Sequence, residues 1–244
     1  MPEIAPNGNF RPKLPNGIRI YAIGDIHGCA RQLQDVFAAI DLHMSRTAAV
    51  RALHVFLGDY IDRGPASRET IDLLIERSHR HESVFLKGNH EAFLFEVLQD
   101  ASRLGAWKEL GGIQTLMSYG LTPSINPAPD EQNELVQALL RGMPDHHRRF
   151  FCNLRSSFLC GDFFFAHAGV KPGVPLRRQH ERDLLWIRDE FLRSEEDFGK
   201  FVVHGHTPVS SPDIRANRIN IDTGAYATGV LTLLTIQGER MFAI

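Results

Sequence analysis

Apolar positions along the first hundred residues switch repeatedly between two periods. Ile18–Ile23 is a short apolar run ending at Gly24-Asp25, which reads as a buried strand meeting a turn. In residues 30–40, Leu33, Val36, Phe37 and Ile40 recur at helical spacing, which places them on one face. Leu53–Leu57 returns to a strand and ends at Gly58-Asp59. Residues 67–75 put Ile71, Leu74 and Ile75 on a helix face, and Ser83–Leu86 is a third strand ending at Gly88-Asn89. A helix follows from about His90 to Leu98. Strand, turn and helix in succession predict an α/β fold with a largely parallel sheet.

The stretch 104–150 has a different character. Trp107–Tyr119, Glu131–Leu140 and Pro144–Phe151 read as short helices. Asn126-Pro127-Ala128-Pro129-Asp130 is the linker between two of them. This stretch is expected to form a helical insertion or cap. Strands then return. Ser157–Cys160 and Phe163–Ala166 flank Gly161-Asp162, a hairpin signature. Residues 182–192 read as helix, and Phe201–Val203, Arg218–Ile221 and Val230–Ile236 as strands, with a last one near Met241. Residues 1–17 carry four prolines and no periodicity, so they are expected to be a loosely attached arm. That leaves 18–244 as a single domain.

Composition narrows the choice only a little. The 244 residues are 43% hydrophobic and carry a net charge of −2, which selects neither nucleic acid nor an anionic membrane as partner. Arg148-Arg149 and Arg177-Arg178 lie among mixed residues and read as solvated surface. The three cysteines, Cys29, Cys152 and Cys160, have neither C-x-x-C nor zinc spacing. They read as free thiols in a reducing compartment, with Cys152 and Cys160 as small core residues. No basic start followed by an apolar stretch is found, and no apolar run long enough for a bilayer. A cytoplasmic location is the expectation.

Chemistry gathers where strands end. The clusters are Gly24-Asp25-Ile26-His27-Gly28, Gly58-Asp59-Tyr60-Ile61-Asp62-Arg63-Gly64, Gly88-Asn89-His90-Glu91, His167-Ala168-Gly169 and His204-Gly205-His206-Thr207. In open α/β sheets, ligands bind beyond the carboxyl ends of the strands, so distant clusters could meet there. Asp25 and His27, two apart, point to one side of the chain. A carboxylate with an imidazole suits Mn, Fe or Zn.

These motifs resemble the calcineurin-like metallophosphoesterase superfamily, and within it the bacterial and phage serine/threonine phosphoprotein phosphatases, over about residues 18 to 236. The resemblance implies a metallophosphoesterase-type β-sandwich: two mixed sheets flanked by helices, αββα, with the small helical insertion. It implies two divalent ions, with manganese the practical choice and iron or zinc compatible. Asp25, His27 and Asp59 would hold one ion, and Asp59, Asn89, His167 and His206 the other, with Asp59 bridging ions about 3.5–4 Å apart. A bridging hydroxide would attack phosphorus in line. Arg63 and Arg188 would hold the phosphoryl oxygens, His90 would protonate the leaving oxygen, and Asp62 would orient His90.

His204 and His206 flank Gly205. The family's ligand follows the glycine, which selects His206 and leaves His204 as a core or supporting residue. The superfamily often has another histidine two places later, where this chain has Pro208. That departure points to the phosphoprotein phosphatase branch. Ile221-Asp222-Thr223-Gly224-Ala225 resembles a family element near the site and reads equally well as a tight turn. Glu91 is read only as favouring a helix N-terminus.

The resulting expectation is a metal-dependent phosphomonoester hydrolase acting on a phosphorylated protein or peptide. The alternative is a diadenosine tetraphosphatase-like nucleotide hydrolase. Base stacking in the alternative would need exposed aromatics in the insertion or around Trp186, whereas Trp107 and Tyr119 read as packing residues. A metal-binding scaffold without activity would have lost some of these positions, and none is lost.

Overall fold

Residues 3–8, 10–124 and 126–244 are described in a computed structural model of the chain. In chain order, the first part runs β1 (Glu3–Ile4), β2 (Ile18–Ile23), α1 (Ala30–Arg46), β3 (Arg51–Phe56), α2 (Ser67–Ser78), β4 (Ser83–Phe85) and α3 (Asn89–Gln99). Four helices follow: α4 (Leu104–Glu109), α5 (Gly112–Ser118), α6 (Pro129–Gly142) and α7 (Asp145–Cys152). The remainder is β5 (Ser157–Cys160), β6 (Phe163–Ala166), α8 (Glu181–Trp186), α9 (Asp189–Leu192), β7 (Phe201–His204), β8 (Asp213–Ile214), β9 (Arg218–Asn220), α10 (Ala225–Thr228), β10 (Leu233–Gln237) and β11 (Arg240–Ala243).

The strands form two mixed sheets, ordered β1-β11-β10-β2-β3-β4 and β5-β6-β7-β9-β8. In the first, β2, β3 and β4 are parallel; in the second, β6, β7 and β9 are parallel. Alternation along each strand decides what it packs against. Ile20 and Ala22 of β2 share one apolar cluster with Phe163 and Phe165 of β6 and Phe201 and Val203 of β7. Tyr21 and Ile23 face the opposite way, into a cluster with α1, α2 and the insertion helices. Phe164 and Val202 face α8 and α9. The sandwich therefore has helices on both outer faces, the expected αββα order. Asp72 of α2 lies 2.8 Å from His147 Nε2 and 3.2 Å from His146 Nε2 of α7, which latches the insertion to the first helical layer.

Some local expectations are corrected. The arm is not loose: β1 pairs antiparallel with β11, and Leu14 is buried in the inter-sheet cluster. Leu14 N donates to Gly238 O, and Lys13 O accepts from Asp162 N, so the segment ties both sheets together. Its prolines prevent regular pairing over most of its length but not attachment. The helix expected over Trp107–Tyr119 is two helices, broken at Gly111 with φ +98°; Gly111 O accepts from Arg63 N. The helix expected over 182–192 breaks at Ile187–Arg188, where Leu184 O is taken by Ala168 N. Pro129 and Asp130 belong to the first turn of α6, where a proline lacks nothing a helix would use. Cys152 is exposed and Cys160 half-buried, so neither is a fully buried core residue.

Candidate metal centre

Each parallel strand of the sandwich delivers its cluster at its carboxyl end. β2 leads to Asp25 and His27, β3 to Asp59, Asp62 and Arg63, β4 to Asn89 and His90, β6 to His167 and β7 to His206. Backbone bonds join the turns across strands. Ile26 N and His27 N both donate to Asp59 O, and Gly205 N donates to His167 O. Gly205 is required by proximity: a Cβ there would lie 2.0 Å from Asp25 Oδ1.

The side chains converge on the two oxygens of Asp59. His27 Nε2 lies 3.5 Å from Asp59 Oδ2, and His167 Nε2 3.4 Å from Asp59 Oδ1. Asn89 Oδ1 is 2.8 Å from His167 Nε2 and 2.7 Å from His206 Nδ1. The two imidazole nitrogens are 3.2 Å apart. His27 Nδ1 and His167 Nδ1 each donate to a backbone carbonyl, of Ile61 and Leu57. That tautomer leaves Nε2 bare on both rings and aimed at Asp59, as metal ligation requires.

Burial keeps these histidines neutral, pushing His27 down to about 3 and His206 to about 2, despite the attraction of Asp59. Burial also works against the Asp59 carboxylate, but attraction to the surrounding histidines, of which His90 is the one raised toward its charged form, holds its pKa low. Asp25 is raised by burial and by the neighbouring carboxylates of Asp222 and Asp59, and Asp25 Oδ1 is buried with no hydrogen-bond partner. Buried carboxylates, bare imidazole nitrogens and an orphaned oxygen together fit cations.

Among the described residues, five non-glycine residues have positive φ: His27 (48°), Asp59 (49°), Asp62 (70°), Arg63 (66°) and His206 (67°). All five belong to this site. Left-handed backbone costs an ordinary residue about 1–2 kcal/mol, so strain is concentrated where side chains must be aimed.

A second layer of contacts holds the site in place. His90 Nδ1 lies 2.7 Å from Asp62 Oδ2, and Asp62 also accepts from Trp107 Nε1 (2.8 Å) and Thr115 Oγ1 (2.6 Å). Burial opposes a charged His90, but Asp59 and Asp62 outweigh it and raise its pKa. Glu91 accepts from the amides of Gly88, Asp59 and Tyr60, clamping the turn that carries Asp59. Arg63 Nη2 is 3.3 Å from His90 Nε2, and its guanidinium stands 4.8 Å over the Tyr226 ring. Arg188 Nη1 donates to Thr207 Oγ1, and its charge reaches His167 and His206. Asp222 is buried, accepts from Gly224 N and is raised to about 6 by burial.

The structure thus brings together Asp25, His27, Asp59, Asp62, Arg63, Asn89, His90, His167, Arg188 and His206. His204 stands outside the cluster; its ring meets Phe191 edge-on at 4.9 Å and its Nδ1 lies 3.1 Å from Gly205 O. Sequence reasoning missed Thr115, Tyr226, the polar contact of Trp107 and the reach of Glu91. Only Glu91 carried a sequence signal, its place two residues after Asn89.

A sequence model described as calcineurin-like phosphoesterase matches residues 18–229. The chain is 26% identical over 232 residues to an asymmetrical bis(5'-nucleosyl)-tetraphosphatase, PrpE, of Halalkalibacterium halodurans, covering 87% of each chain. Among solved structures it is similar to a protein described provisionally as a diadenosine tetraphosphatase, with TM-score 0.63, 20% identity, and 99% of this chain and 97% of that one covered. It is also similar to a cold-active protein-tyrosine phosphatase of a Shewanella species, with TM-score 0.55, 13% identity, and coverage of 100% and 83%.

Proposed function

The chain belongs to the calcineurin-like phosphoesterase family, and on that premise we propose that it hydrolyses dinucleoside tetraphosphates such as diadenosine tetraphosphate. One observation carries this substrate. Exposed aromatic rings stand at both ends of the Asp59 cluster: Trp186 is 38% exposed with its ring 6.3 Å from that of His206, and Tyr226 is 42% exposed with its ring 5.4 Å from that of His27. A dinucleotide presents two bases on either side of its phosphates, and stacking on an aromatic ring is worth about 1–3 kcal/mol per base. Trp107 and Tyr119 are buried and take no part. The name of the tetraphosphatase relative supports the same substrate and favours unequal products. The phosphoprotein substrate expected from the motifs gives way to the nucleotide, because those motifs describe phosphoryl chemistry and not the leaving group.

Asp25, His27, Asp59, Asn89, His167 and His206 would hold the cations, manganese or an iron–zinc mixture. Bound divalent ions supply a low-pKa water and offset phosphoryl charge. Arg63 and Arg188 would grip phosphoryl oxygens, and His90, kept basic by Asp59 and Asp62, would give a proton to the leaving oxygen. Among the described residues no helix is long and apolar enough to cross a membrane.

The test is a rate comparison on diadenosine tetraphosphate and on phosphoseryl, phosphothreonyl and phosphotyrosyl peptides, after chelation and reloading with Mn. Chelation should abolish turnover and Mn restore it. The dinucleotide should show kcat/KM at least about a hundredfold higher, near 2.7 kcal/mol of transition-state preference. Equal or greater efficiency on a phosphopeptide would sink the nucleotide reading.

A further inference from the structure

A cavity of about 580 Å³ opens between α3 and α8, beside the Asn89–His206 half of the centre. α3 begins at Asn89 itself, and α8 ends at Trp186, whose ring meets His206 at 6.3 Å and 80°. Trp186 thus borders the metal cluster on one side and lines the cavity on the other. Phe93 and Leu185, both buried, line its apolar side, and Trp186 forms one wall. Glu96 and Arg103 line it too, joined by a 2.8 Å ion pair, and Arg103 stands 5.2 Å over the Phe93 ring.

Size and chemistry select the occupant. The volume lies within the range of small-ligand sites and is far larger than a phosphoseryl side chain fills. A flat apolar wall with the carboxylates of Glu96 and Glu181 and the guanidinium groups of Arg103 and Arg182 around it suits a group that is planar on one part and hydroxylated on another. We propose that this groove is the subsite for one nucleoside of the dinucleotide, with the base against Trp186 and the ribose hydroxyls donating to Glu96. The inference rests on the tetraphosphatase reading above and deepens it. It assigns the two ends of the substrate different surroundings, because the space beside Tyr226 and Arg63 is smaller, about 380 Å³.

Ala92 lines the groove on α3, and Ala92→Phe narrows it without removing any polar group. The quantity read is kcat/KM on diadenosine tetraphosphate divided by kcat/KM on p-nitrophenyl phosphate, which has no nucleoside. It should fall at least tenfold, mostly through KM. Trp186→Leu, at an exposed position, should give the same fall if Ala92→Phe folds poorly, and Trp186→Phe should recover part of it. If the wild-type protein prefers the dinucleotide but neither Ala92→Phe nor Trp186→Leu shifts the ratio beyond twofold, the subsite is wrong and the functional reading stands. A wild-type protein with no dinucleotide preference overturns both. An equal loss on a phosphoseryl peptide would show that the groove serves peptide and would overturn the nucleoside assignment.

Discussion

Asp62 has no exposed surface and accepts hydrogen bonds from three side chains, one of which belongs to His90, the proposed proton donor. The other two, Trp107 and Thr115, come from the insertion helices. Replacing Trp107 with Phe keeps most of the ring and removes one donor to a charged group. The expected outcome is a fall in kcat of about tenfold with KM within twofold, and a stability loss of about 1.5–3 kcal/mol. Steady-state kinetics and thermal melting check this; an unchanged kcat would show that His90 does not depend on the contact. The residues that converge at the centre were legible because carboxylate, amide and imidazole side chains sit at strand ends next to glycines. Trp107 was read as packing, which its burial bears out. Helical spacing reports burial but not what an indole N–H meets inside. Tyr226 carried no signal at all, since a lone aromatic after a turn has no pattern.

The strand pattern was read well and helix ends less so, and the breaks show why. β2, β3, β6 and β7 are buried on both faces, and their apolar runs announce them. The α4–α5 break cannot be read from its own residues, because it is set by Arg63, whose amide needs the Gly111 carbonyl. The α8–α9 break is likewise set by Ala168. Gly111→Ala tests the first case. A methyl group there would lie 2.6 Å from Arg63 N, on a backbone with φ +98°. The substitution should cost roughly 1–3 kcal/mol and lower kcat/KM by displacing Arg63. Denaturant titration and kinetics together measure it, and a variant matching wild type in both would show that the break does not position Arg63.

At the scale of the whole molecule, the parallel α/β character was visible in the sequence. The two-sheet sandwich came from family resemblance, because no local period tells one strand which sheet it will join. The N-terminal segment is where composition misled, since prolines report what a chain cannot pair with and not where Leu14 is buried. Leu14→Ala should destabilise the fold by about 2–5 kcal/mol, read as a lower denaturation midpoint. A cost under about 0.5 kcal/mol would mean the segment contributes little. The pairing of Glu3 with Phe242 and of Ile4 with Met241 also carries a consequence for biosynthesis. At about 5–20 residues per second, β1 leaves the ribosome some 12 to 48 s before its partner strand. The first sheet can be completed only after β10 and β11 have emerged. Until then β2 lacks β10 along one edge, and that apolar, unpaired edge is where nascent chains of this protein would be most exposed to misassociation and to capture by chaperones.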